Sequence, residues 1–231
     1  MINIDTIIHS LSHFLDSLFS SLKSLREFSE NFCKILDSSQ NILETPKNFV
    51  KKSMLVLIAR EWPEIHDLTL KLLTNKELGD IDRAWLRELA NETGWDEGEV
   101  VEELKNAIAD PSVRTRKYKE LFEKYYQEAF KLFDKDTRQA GEKIWGAVTA
   151  LIKLHAAKRG IPIIHWEHGT LYNYVNNNIE KKYRNLFNSL LSKADSLHRH
   201  FYEDYLGDNA FKELFNDVIS LIENVKKLIS L

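Results

Sequence analysis

One cysteine, four prolines and eight glycines are all that 231 residues contain of the types that staple, break or turn a chain. A single thiol, Cys33, cannot close an internal disulfide, and it reads as a small buried hydrophobe of a reducing compartment. With so little Pro and Gly there are few turns, so long uninterrupted elements must account for most residues. Long apolar runs are missing too. Stretches such as Met54 to Ala59 and Ile161 to Ile164 are far short of a bilayer span, and the N-terminus lacks the basic start and apolar centre of a signal peptide. No membrane contact is expected, and the expected compartment is the cytoplasm. Charge of one sign is also scarce. The net charge is −3, with 14 basic and 20 acidic side chains in residues 1–116 and 18 and 15 in residues 117–231, so −6 against +3. That polarity points any polyanion to the second half but is too weak to argue nucleic-acid binding from charge alone.

What the chain does contain is helical periodicity. Ile4, Ile8, Leu11, Leu15, Leu18, Leu22, Leu25, Phe32 and Leu36 alternate four and three apart, which is a heptad seam on one long helix. The seam packs on its own chain or serves as a dimer-forming arm, and its Ser-rich, net acidic polar face does not suit a membrane surface. A second helix starts near Pro46 and bends or restarts at Pro63. In "DIDRAWLRELANETGWDEGEVVEELKNAIADP", Asp80 or Asp82 caps one helix, Gly94 ends it, and Asp96 with Glu99 is expected to form a capping box for the next. This pair has the outline of a helix-turn-helix, yet its second helix carries Asp96, Glu97, Glu99, Glu102 and Glu103 and would repel phosphates, so sequence-specific DNA reading is excluded.

Asp110-Pro111 opens a long helix with Tyr118, Leu121, Phe122, Tyr125, Ala129 and Leu132 inward. Asp136 caps the next one, in which Ala140, Gly141, Gly146 and Ala147 allow a close neighbour, and Gly160 stops it. A short helix at "HGTLYNYVNNN", a long one after it and an amphipathic helix capped by Asp208 complete the chain. No strand-like alternation persists between turn signals. The expected fold is all-α: a helical bundle over residues 117–231, preceded in residues 1–116 by a helical extension carrying the heptad seam.

Three stretches, "AGEKIWGAVTALIK" (140–153), "HGTLYNYV" (168–175) and "ADSLHRHFYEDYL" (194–206), resemble in order and spacing the archaeal PaREP family of paralogous repeat proteins. The resemblance covers about residues 117–231. It implies a compact helical bundle of archaeal origin, and the family is similar in turn to HEPN helical domains, many of which dimerise and bind nucleotides or cut RNA. HEPN ribonucleases place an arginine shortly before a histidine. Here Lys193 stands five residues before His198, which keeps the charge without the guanidinium fork. Arg159 and His165 have the right spacing but straddle a Gly-Pro loop away from the family position.

The segment "LLSKADSLHRHFYEDYLGD" tests whether this is chemistry or packing. At about 100° per residue, Leu190, Ala194, Leu197, Phe201 and Tyr205 form the core stripe, His198 and Tyr202 lie on one flank, and Lys193, His200 and Asp204 lie on the other. Residues two apart on a helix diverge, so His198 and His200 cannot share a metal ion, and no metal or other cofactor is expected. Asp195, Arg199 and Glu203 read as a solvated i,i+4 ladder. His198 with Tyr202 is the position of interest, and His168, Trp166 and Tyr172 are able to join it in a bundle. Such a grouping suits a base or nucleotide, with Lys153, Lys158, Lys181, Lys182 and Arg184 offered to phosphates. The plainer reading makes His168 a helix-start residue bonded to backbone and His198 a satisfied interhelical histidine.

The sequence therefore favours a non-catalytic nucleotide/RNA-binding or protein-interaction module that forms a homo-oligomer. The alternatives are a metal-independent ribonuclease with His198 as general base, Lys193 as phosphate partner and Tyr202 nearby, or a structural dimerising adaptor. No P-loop, dinucleotide fingerprint, nucleophile elbow or thiol cluster is present.

Overall fold

The computed structural model describes residues 59, 63–107, 109–161, 163 and 168–231. The heptad seam, Cys33, the helix start at Pro46, His165 and Trp166 lie outside them. Among the described residues the regular elements are all α-helices: α1 (Pro63–Leu73), α2 (Asp80–Thr93), α3 (Glu97–Asn106), α4 (Pro111–Leu132), α5 (Thr137–Lys158), α6 (His168–Asn178), α7 (Lys181–Glu203) and α8 (Asp208–Ile229). None of the described helices is long and apolar enough to cross a membrane.

Local chemistry sets most boundaries. Asp110 accepts from the backbone N–H of Ser112 at 2.9 Å with Pro111 in the first turn of α4, and Asp136 accepts from Gln139 N–H at 3.0 Å to start α5. Gly94 and Gly160 end α2 and α5 with left-handed φ of 67° and 68°, a region that costs other residues strain. Three expected caps differ. Gly79, not Asp80 or Asp82, caps α2, with the Asp82 carboxylate accepting from Gly79 N–H at 2.8 Å. Asp208 is the first helical residue of α8 and Gly207 the cap. Asp96 precedes α3 without capping it through its side chain, because its carboxylate meets Lys124 at 3.0 Å while Glu99 meets Lys117 at 2.7 Å. The Tyr125 hydroxyl instead accepts from Asp96 N–H at 2.7 Å. The acidic side of α3 thus packs on the basic side chains of α4.

α5 is buried around nearly its whole circumference from Ala140 to Ala157, as expected of a helix whose apolar residues occupy every face, and it is the centre of the bundle. α4 and α7 make its most extensive contacts, with α8, α2 and α6 adding smaller ones. Tyr118, Leu121, Phe122, Tyr125 and Ala129 of α4 are buried as the periodicity requires, and Leu132 is half-buried. One buried core runs from Ile65 to Ile229.

Candidate functional site

Two glycines on α5 set the geometry. A Cβ at Gly141 would lie 2.6 Å from the carbonyl oxygen of Leu197, and one at Gly146 would lie 2.8 Å from that of Gly94. Their absence lets the backbone of α7 and the turn after α2 come against α5. Between those approaches stand Glu142 and Trp145. The first brings His198 to Glu142, Nδ1 to Oε2 at 2.6 Å, and the second brings the carbonyl of Glu92 to the Trp145 indole N–H at 2.9 Å.

α6 contributes His168. Its Nδ1 lies 2.7 Å from Asp195 Oδ1 on α7, and its Nε2 lies 3.6 Å from Glu92 Oε2, an ion-pair distance beyond hydrogen-bonding reach. The His168 Nε2 is buried and turned toward Glu92. Four rings form a contiguous set: Trp145 lies 4.4 Å from His168 and 5.4 Å from His198, the imidazoles are 5.2 Å apart, and Tyr202 meets His198 edge-on at 5.2 Å. Exposure grades across the set, from 0% for Trp145 and 6% for His198 to 50% for Tyr202, so a fixed floor carries a solvent-facing rim.

Three carboxylates surround these rings. Burial opposes a proton on His168, but the hydrogen bond and charge of Asp195 together with Glu92 prevail and hold its pKa above the ordinary value. Hydrogen bonding from His168 holds Asp195 below the usual carboxylate range against the effect of burial. Burial first, then Glu142 and Glu92, push the Tyr202 phenol up to about 12, so it stays a neutral donor. Each imidazole is held by a carboxylate at Nδ1, which fixes ring orientation. Of the four rings, Tyr202 and the part-exposed His168 are the ones that offer surface to solvent. Among the described residues no three or more His, Cys, Asp or Glu side chains are placed to hold a metal ion.

Of the residues singled out from sequence, His168, His198 and Tyr202 come together. Tyr172, one turn along α6, bonds the Ser192 side chain and feels the charge of Asp195. The lysines go elsewhere. Lys153 is 1% exposed and paired with Glu103 beneath the Trp95 and Tyr118 rings, so it is withdrawn from any phosphate. Lys158 donates to the carbonyls of Ile229 at 2.7 Å and Ser230 at 3.2 Å, capping α8. Lys193 pairs with Asp217 at 2.6 Å on the flank opposite His198, and Lys181 is exposed at the start of α7. Lys182 pairs with Glu180 at 3.0 Å, and Arg184 donates to the carbonyl of Ile179 at 2.8 Å.

Other readings are corrected. α7 continues unbroken through His198 and His200, and the latter is buried on the far flank with Nδ1 accepting from Leu206 N–H at 3.1 Å. Tyr205 lies past the helix end at 40% exposure because Asp204 turns left-handed at φ 49°. Asp195 turns its hydrogen bond to His168 while still facing the charge of Arg199, the Arg199–Glu203 half of the ladder forms at 3.7 Å, and the Arg199 guanidinium also packs over the Tyr205 ring at 4.6 Å. His168, expected to bond backbone, bonds the Asp195 carboxylate as well as meeting the Glu92 backbone. Sequence reading missed Trp145, Glu142 and Glu92 as site residues; the available signal was the pair of close-approach glycines that bracket Glu142 and Trp145.

All three stretches that carry the family likeness, 140–153, 168–175 and 194–206, supply this site. Residues 117–222 match the Archaeal PaREP1/PaREP8 family. The PaREP1/PaREP8 match takes in most of α4, all of α5 to α7 and most of α8, hence every ring of the site, while Glu92 comes from α2 outside it. Neither the comparison with curated proteins nor that with solved structures found a match.

Proposed function

We propose that this protein is a non-catalytic helical binding module whose Trp145–His168–His198–Tyr202 set takes a flat nitrogenous base. The observation that carries this reading is the part of the ring set that reaches solvent, the half-exposed Tyr202 phenol and the part-exposed His168 imidazole, held on a buried floor of Trp145 and His198. Stacking platforms of this kind bind bases with little regard to identity. At about 0.3 kcal/mol per non-hydrogen atom, a nucleoside-sized ligand would bind with roughly 6 kcal/mol, a Kd on the order of 0.1 mM. Ligand-observed NMR with adenosine is suited to that range. Tyr202→Ala is expected to weaken binding about tenfold or more, since stacking is worth roughly 1–3 kcal/mol per base. Absence of adenosine line broadening at millimolar ligand would remove this reading.

The ribonuclease reading draws support from one feature, two carboxylate-oriented imidazoles 5.2 Å apart in an acid–base arrangement. Labelled RNA incubated in EDTA with the protein and with His198→Ala tests it; equal cleavage by both would mark contamination. The homo-oligomer expected from the heptad seam is tested by sedimentation with and without residues 1–45, and an unchanged assembly would remove the arm's role.

A further inference from the structure

His168 opens α6, the end of a helix at which the dipole disfavours a cation. Both of its ring nitrogens nevertheless face acceptors. Nδ1 meets Asp195 Oδ1 of α7 at 2.7 Å, while Nε2 meets the backbone of Glu92 on α2 and stands 3.6 Å from that residue's carboxylate. A neutral imidazole has one N–H and one bare nitrogen, so in that form one of the two contacts would set lone pair against lone pair. The doubly protonated ring satisfies both, and the Trp145 indole, 4.4 Å away, adds a favourable aromatic face for the cation. On α7, Asp195 also faces the charges of His198 and Arg199, and Tyr202 meets His198 edge-on. Glu142 of α5 is bonded to His198, and Tyr172 of α6 is kept a phenol by burial.

The far end of α6 is fastened differently. Tyr174 meets His155 of α5 at 2.6 Å, and Arg159 donates to the carbonyl of Asn178. Burial holds His155 down to about 4 and Tyr174 up to about 12, so this anchor does not titrate near neutrality. We infer that His168 is a proton-held latch: when the ring loses its second proton, the first turn of α6 lifts from α2 and α7 about the His155–Tyr174 anchor and uncovers the Trp145 indole. The latch stands whether or not the rings bind a base. Burial opposes the proton on His168, but Asp195 and then Glu92 outweigh it and raise the closed-state pKa above the ordinary value of about 6.5. The closed state therefore has its full advantage below about 6.5 and loses it as pH rises through the raised value.

Nitrogen-15 NMR of the imidazoles and amide hydrogen exchange, both on the full chain, test the latch. At about pH 6 both His168 nitrogens should carry protons. The amides of Tyr172 and Asn173, one turn into α6, report its first turn. With intrinsic rates divided out, their protection should fall by up to about tenfold per pH unit above about 6.5, then level off once the closed form has also lost the proton. Amides of α5 and of the last turn of α6 should not follow. His168→Gln should leave Tyr172 and Asn173 less protected at about pH 6 and abolish the pH dependence; should it fail to fold, the wild-type measurements decide alone. A His168 nitrogen without a proton at about pH 6, protection unchanged up to about pH 9, a decline shared equally by α5, or a pH dependence that survives in His168→Gln each overturns the latch.

Discussion

His198 and Glu142 depend on one another, since both are nearly sealed from water and their 2.6 Å bond is the contact that satisfies them across α5 and α7. Glu142→Ala should lower stability by about 1–3 kcal/mol, the cost of leaving a buried polar group unpaired, read as a lower urea midpoint at unchanged slope. A second buried pair answers more strongly. Glu103 is 4% exposed and holds the Lys153 ammonium and the Tyr118 hydroxyl. Burial dominates and depresses the Lys153 pKa even with Glu103 beside it. Glu103→Ala should therefore cost about 3–5 kcal/mol, because the buried ammonium loses the carboxylate that faces it. A loss below 1 kcal/mol would mean that the lysine finds water.

Among the helices, α5 shows how one substitution changes sign with its surroundings. Alanine is a better helix former than glycine by roughly 1 kcal/mol. At Gly98, within α3, an added methyl meets nothing within 4 Å, so Gly98→Ala should stabilise by about 0.5–1 kcal/mol. At Gly141 it would meet a backbone carbonyl at 2.6 Å, and neither helix can yield without disturbing the His198–Glu142 contact. Overpacking of that kind costs about 1–3 kcal/mol, so Gly141→Ala should destabilise despite its propensity gain. Paired thermal melts of the two variants check this, and equal shifts in one direction would sink the argument.

At the scale of the whole molecule, four histidines with shifted pKa among the described residues shape stability against pH. Burial is the leading cause that lowers His66, His155 and His200, with Arg159 and Lys158 adding to it at His155, which falls to about 4. A group lowered in the folded state gives stability that is present above its unfolded pKa of about 6.5 and lost as pH falls toward the folded value. His168 works in reverse, giving stability in full below about 6.5 that fades as pH rises through its raised pKa. Three against one, the melting temperature should fall as pH drops from about 6.5 to 4, most steeply midway and levelling off near 4, where His155 takes up its proton in the folded state as well. A melting temperature that climbs over that interval would contradict the burial assignments.

The sequence alone determined what local geometry governs. Asp110, Asp136, Gly94 and Gly160 act within a few residues of themselves, so helix ends could be read directly, and 100° steps along α7 separated His198 from His200. The same steps failed at Tyr205, because Asp204 ends the helix first. Side chains with a choice of partners were decided by packing. Asp96 and Glu99 looked like a capping box until α4 brought Lys117 and Lys124, and Lys153 looked like a phosphate ligand until Glu103 enclosed it. Glu92 and Trp145 are 53 positions apart, and their meeting depends on the backbone approach permitted at Gly146. Helix formation is a matter of neighbours in the chain, whereas a site shared by α2, α5, α6 and α7 exists only once those helices have docked.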